Sequence, residues 1–455
     1  MKKIAIFTSV LFAVVFLARS HAQQKAEINI TGNANKPAIA VPDFRGSGAA
    51  NAYMSVFNQT LFSQLQDSAS LKMAPKTVYP LRIPQQPTDF REPVNGQSQG
   101  PWLTDWSGPP VNANYLAFGY TAAQGSTLVL YGWLYNVALP STQGAQLIGK
   151  IYTGTLDEAG AKKVAEEFAA DILKQFGATS LMGTKIFFVS DRTGSKEIWS
   201  MDYDGSNQKQ ITSYHSITQF PCVSPDGTKV AFTTYARGTP MIFIHSLQTG
   251  RKLPFYNQAA SVNAASDFTP DSQQLLLYST AAGGGYAQIY EANVDGGNLR
   301  RISHSRSIDV EPKMNPKTSA EIVFVSDRGG LPQVYRMSSD GTDVLRLTNG
   351  DGEAVNPSWN PDGQHIAFAW TKGFDPGNFN IFIMDVASRE VIQLTHGEGR
   401  NENPNWAPDG THLVYSSKRG RSTQIWTMLA DGSGQKLLTS QGNNLKPVWG
   451  KASIP

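Results

Sequence analysis

The chain of 455 residues carries 39 Lys and Arg against 36 Asp and Glu, a formal charge of +3 that is too small and too scattered for a nucleic-acid partner. Only 16% of its residues are charged, while 41 Gly and 26 Pro mark a globular protein rich in turns and strands. The single cysteine, Cys222, excludes an internal disulfide and a cysteine-based metal site, and it reads as a small buried thiol.

Residues 1–22 combine Lys2 and Lys3, an apolar run from 4 to 18, and small residues at Ser20 and Ala22. That is the pattern of a secretory signal peptide, and the run is shorter than the ~20 residues that span a bilayer. The mature chain is therefore expected outside the cytoplasm with no membrane span. Residues 23–36 form a polar arm with one alternating apolar patch, Ile28 and Ile30, which suits a free arm or an edge strand.

Residues 37–178 mix strand and helix patterns. Strands are expected over 38–44, 71–78, 115–121, 128–137 and 147–152. Tyr53, Val56, Phe57, Leu61 and Leu65 recur at helical spacing. Thr155 and Glu158 form a capping-box pattern ahead of a second helix, with Val164, Phe168, Ile172 and Phe176 inward and Gly177 as its stop. Between these elements, 80–110 is a long loop rich in proline and glutamine, of a kind that is either functional or mobile.

From 184 to 450 a unit of about 45 residues recurs, the period of propeller blades. In the copy at 356–395 four short apolar runs read as an antiparallel meander. Two turn anchors repeat. One is Pro-Asp-Gly or a relative of it, as in PCVSPDG (221–227) and PNWAPDG (404–410), and the other is Asp-Gly, at Asp204, Asp340 and Asp431. Proline presets a type I turn and glycine takes the left-handed position after it, so both anchors make tight hairpins at one end of each blade. The longer loops, such as 190–197 and 371–379, then gather at the other end, where binding residues usually sit. The first copy lacks an innermost strand and NLKPVW (444–449) is an innermost strand with nothing after it. Joining the two closes a ring of six blades and removes the exposed sheet edges. The fold class expected is an α/β N-terminal domain followed by an all-β six-bladed propeller closed by the C-terminal strand.

Catalytic chemistry is hard to find. No Gly-x-Ser-x-Gly elbow exists, and the chain stops where the ring closes, so a propeller-gated serine hydrolase is disfavoured. His215, His304 and His396 occupy related loops without a recurring acidic partner. Asp191-Arg192 and Asp327-Arg328 suit surface pairing and blade-to-blade bonding. No catalytic residue, metal site or cofactor is expected, with calcium in the propeller channel left open.

The sequence resembles the TolB family of the periplasmic Tol-Pal system. The resemblance rests on KPAIAVPDF (36–44), LIGKIYTG (147–154), VSDRGGLPQVYRMSSDGTDVLRLT (325–348) and PSWNPDGQHIAF (357–368), and on the closing KPVWG (446–450). It implies a non-catalytic adaptor that binds the Pal lipoprotein through the loop end of the propeller and TolA through the arm, at Glu27, Ile28, Asn29 and Ile30. Other outer-membrane proteins could join, and the role implied is envelope integrity and outer-membrane invagination at division. Residues before each blade-opening proline are implied to face the partner: Phe220, Ala265, Glu311, Asn356, Asn403 and Lys446, with Val262, Asn263 and Val310 beside them. Glu311, the only carboxylate of the six, is expected to meet a cation or amide of the partner, or else to cap its own turn. A secreted hydrolase or carbohydrate-binding propeller is the alternative.

Overall fold

The computed structural model describes residues 36–373 and 375–451, so the expected signal peptide and most of the arm, including Glu27, Ile28, Asn29 and Ile30, lie outside the described residues. The N-terminal domain is built on one mixed sheet in the order Lys72–Met73, Ala38–Ala40, Tyr115–Gln124, Thr127–Asn136 and Gln146–Thr155, with Arg45–Ser47 also pairing to Tyr115–Gln124. Alternation along the strands splits the side chains between two cores. Ala117, Leu128 and Leu130 meet Phe57, Leu61, Val164, Phe168 and Ile172 from the helices Met54–Gln66 and Glu158–Gln175. Leu116, Phe118 and Tyr135 face the opposite side. The second helix begins hard against the sheet: a Cβ on Gly160 would lie 1.9 Å from the Thr155 carbonyl oxygen.

Several local expectations change. The strand expected over 38–44 stops at Ala40, because Pro42 has no N–H to pair and the Val41 amide turns to the Tyr79 hydroxyl at 3.0 Å. The strand expected over 71–78 is only Lys72–Met73; Pro75 ends it and a 3-10 turn, Lys76–Val78, follows. The helix cap is Asp157, not Thr155. The Asp157 carboxylate accepts the Gly160 amide at 2.7 Å and is itself held by the Thr155 hydroxyl at 2.7 Å. Most tellingly, the segment 80–110 covers the sheet's second face. Phe90, Trp102, Leu103 and Trp106 are buried there, with Phe90 stacked on Tyr135 at 5.5 Å.

Six four-stranded antiparallel sheets follow. The fifth blade is Ala354–Trp359, His365–Trp370, Asn380–Asp385 and Val391–Gln393. The first is Asn444–Lys451, Thr184–Ser190, Glu197–Asp202 and Lys209–Gln210, with Asn444 opposite Ser190, so the two ends of the propeller region share one sheet as expected. Asp191 and Arg192 bind this seam: Asp191 accepts from the Asn443 amide and side chain, and Arg192 donates to Asn444. The turn glycines take positive φ, +70° at Gly363 in Pro361-Asp362-Gly363.

Apolar side chains are pooled between neighbouring blades. Ile381, Trp406, Leu413 and Tyr415, for example, join blades five and six. A buried hydroxyl recurs just after the outer strand. Thr348 accepts the Val334 amide at 3.0 Å and donates to Gln333 at 2.7 Å, and Thr212, Ser303, Thr395 and Thr439 repeat the pattern. It satisfies a backbone N–H that the short outer strand leaves free. The two domains meet where Lys162 pairs with Asp204 at 2.8 Å and the Tyr203 hydroxyl donates to Glu166 at 3.0 Å. Burial raises the pKa of both Glu166 and Tyr203.

Candidate partner-binding mouth of the propeller

Each innermost strand begins at the loop end with a bulge. Register slips between Gln219 and Cys222, Ala265 and Asp267, Val310 and Lys313, Val355 and Ser358, Glu402 and Asn405, and Leu445 and Val448. In five of these bulges the residue before proline is left-handed: Phe220, Glu311, Asn356, Asn403 and Lys446 have φ between 51° and 56°. A side chain in that conformation costs roughly 1–2 kcal/mol, and a following proline narrows its choices further. Such strain persists only where surrounding bonds over-determine it, and it concentrates at functional sites. In the third blade Ser266 replaces the proline and Ala265 is not left-handed.

Two tiers of hydrogen bonds hold the ring of bulges. In the outer tier Glu311 accepts the Asn356 amide N–H at 2.8 Å and its side-chain amide at 3.0 Å, and the Asn356 side-chain oxygen accepts the Asn403 amide at 3.3 Å. In the inner tier Asp267 accepts from Met314 at 3.0 Å, Ser358 from Trp406 at 3.4 Å, and Asn405 from Trp449 at 2.7 Å. Blades three to six thus each satisfy a backbone donor of the next around the ring. Glu311 neither caps its own turn nor waits free for a partner; its carboxylate belongs to the fifth blade.

The six expected positions do converge. Phe220, Ala265, Glu311, Asn356, Asn403 and Lys446 all line one cavity of about 80 Å³ on the channel axis. Val262 and Val310 pack with Phe220 against Ala264 and Tyr278 beside it. Asn263 is not at the cavity: it is buried, donating to the Gln258 carbonyl at 2.7 Å and accepting from Ser279 at 2.6 Å. Lys446 departs from its neighbours. Its ammonium lies 4.2 Å from the centre of the Phe220 ring, and burial pulls its pKa down while Glu311 and Glu402 oppose that shift.

Features outside the sequence reading sit at this same end. Tyr278 lines the cavity, its hydroxyl pKa raised by burial and by the Glu311 charge. Ile217, Tyr235, Tyr286, Ile308 and Leu331 are exposed large apolar side chains in the loops of three consecutive blades. Period-two alternation was their only signal, since Ile217 and Ile308 each precede the buried polar start of an inner strand, Thr218 and Asp309. Cys222 lies within an inner strand with its thiol pKa pushed up to about 12 by burial, which makes it unreactive. Among the described residues, no cluster of three or more His, Cys, Asp or Glu could hold a metal, and no helix is long and apolar enough to cross a membrane.

The family model described as the TolB beta propeller domain matches residues 174–373 and 346–453, which together span the whole ring. The chain belongs to the TolB propeller family. Among relatives, a protein TolB homolog of Chlorobium chlorochromatii is 33% identical over 48% of this chain and 47% of its own length. A Tol-Pal system protein TolB of Desulfosudis oleivorans is 32% identical over 43% of this chain and 42% of its own. These matches span about half of the curated relatives. A crystal structure of TolB from Acinetobacter baumannii shares the fold across both domains, with a TM-score of 0.73, 22% identity, and coverage of 91% of this chain and 96% of that one.

Proposed function

We propose that the chain is a non-catalytic periplasmic adaptor of the Tol-Pal system, with the propeller mouth binding the Pal lipoprotein and the arm at 23–36 contacting TolA, in support of outer-membrane invagination and envelope integrity. The observation that carries the reading is the convergence of five strained pre-proline bulges on one cavity, ringed on three blades by exposed Ile217, Tyr235, Tyr286, Ile308 and Leu331. Clusters of exposed large apolar side chains mark sites of protein–protein interaction. Membership of the TolB propeller family and relatives named for the Tol-Pal system support the choice of partner. The donors at the mouth do not favour calcium there. Calcium takes six to eight oxygens, whereas the one carboxylate among the six bulge positions, Glu311, is held by amide donors and Lys446 adds an ammonium.

Titration calorimetry with the soluble domain of Pal from the same organism tests this. Binding by the wild-type protein, lost in Leu331→Asp with an unchanged melting temperature, is the expected result. Wild-type protein that does not bind, or Leu331→Asp that binds equally well, overturns the placement of Pal at the mouth.

A further inference from the structure

The ring of bulges has a polarity. At Glu311, Asn356 and Asn403 the side chain is an acceptor, and each takes a hydrogen bond from the next blade or from its own. At Phe220 and Lys446, which are neighbours around the ring, neither side chain can accept. The lysine's three donors have no hydrogen-bond or ion-pair partner among the described residues; the face of Phe220 lies at 4.2 Å, and the charges of Glu311 and Glu402 act on it without direct contact. The other lysine of the cavity, Lys313, is committed, since its ammonium donates to the Ser266 carbonyl close to the buried Asp267. Glu402, the carboxylate two residues before Pro404, is held by Arg400 at 2.6 and 3.0 Å. The acceptors of the mouth are therefore engaged, and one cation is not.

We propose that Lys446 receives a carboxylate, so that the segment entering the mouth presents an aspartate or glutamate side chain to it. The inference rests on the reading of the mouth as a partner site and reverses the charge expected from Glu311 alone. A cavity of about 80 Å³ with one uncommitted cation suits a planar carboxylate. A phosphate or sulfate would call for several converging donors. The Tyr278 hydroxyl, also on the cavity wall, has no protein acceptor among the described residues and supplies a second donor. Exposed Lys418, Arg419 and Arg421, in one loop at the same end without a carboxylate among them, favour approach by an acidic surface.

The test uses the intact mature chain and the Pal domain, with Lys446→Met as the main variant. Methionine keeps the length and the contact with Phe220 and removes a half-buried charge, so the melting temperature should hold or rise. Affinity should fall by roughly 30-fold or more, the loss seen when one member of a buried charge pair is removed. The salt dependence of binding between 50 and 300 mM sodium chloride should flatten in the variant, a change that a purely structural role would not produce. Substituting the partner's acidic residues one at a time by their amides should identify one whose effect vanishes in the Lys446→Met background. If Lys446→Met binds as tightly as wild type while Leu331→Asp does not bind, the mouth is the site and the carboxylate inference is wrong. If wild type itself fails to bind, both readings fall. If Tyr278→Phe and Lys446→Met both leave affinity unchanged, the anion has no receptor here.

Discussion

Deleting residues 444–455 removes the inner strand of the first blade, and its cost can be worked from the seam. Asn444–Lys451 pairs along Thr184–Ser190, so roughly six backbone hydrogen bonds are lost, each worth about 1 kcal/mol net. Trp449 is 6% exposed and its indole N–H donates to the Thr184 hydroxyl at 2.9 Å. Truncating a buried tryptophan alone costs about 3–5 kcal/mol. The total is on the order of 10 kcal/mol, comparable with the whole stability of a typical domain. The deletion should therefore abolish cooperative melting of all six blades, followed by circular dichroism and by amide hydrogen exchange in every inner strand. Trp449→Ala, a milder form of the same damage, should lower the melting temperature by about 6–20 °C. A deletion variant that melts within about 2 °C of the intact chain, or that loses protection only in 184–210, would refute the account of a ring held shut at one seam.

Glu311→Ala should cost roughly 1–3 kcal/mol of stability, because the half-buried Asn356 amide loses its acceptor, whereas Glu311→Gln keeps one acceptor and should cost less. Calorimetric melting curves of the two variants that coincide with wild type would show that the outer tier is not formed. His365 lies 2.6 Å from Asp362 and 3.6 Å from Asp385, and its pKa is raised above 6.5, first by the Asp362 hydrogen bond, against the effect of burial. A raised folded-state pKa means that this stabilisation is complete below pH 6.5 and is lost as pH climbs through the higher folded value. The difference in melting temperature between wild type and His365→Gln should thus shrink as pH rises from about 5.5 to 8.5. A constant or growing difference contradicts the pairing.

The propeller was legible because its signals are local. Pro361-Asp362-Gly363 and its copies mark tight turns through backbone conformation alone, and the missing inner strand of the first copy has one candidate at the far end of the chain. The six positions at the mouth were implied by the family resemblance and aligned by the repeat, and they line one cavity. What stayed hidden depends on distant partners. The Glu311 carboxylate is taken by a residue 45 positions away, and Lys446 is distinctive only once its neighbours around the ring are known to be acceptors. Local patterning also misled at 80–110, where proline and glutamine spacing resembles an unstructured loop. The sheet there has two apolar faces and only two long helices, so Trp102 and Trp106 must cover what the helices do not.

The seam also imposes an order in time. Asp191 and Asn443 are 252 positions apart, and bringing chain ends together over that span costs about 5 kcal/mol in configurational entropy. That contact is recovered only when the last strand is present. Until then the first blade has an open inner edge, and the second and sixth blades each lean on that incomplete neighbour. A chain of this kind emerges with its beginning waiting for its end. Agents that shield bare strand edges would matter most during that interval, and tension applied across the two ends of the ring would find its first point of opening at the same place.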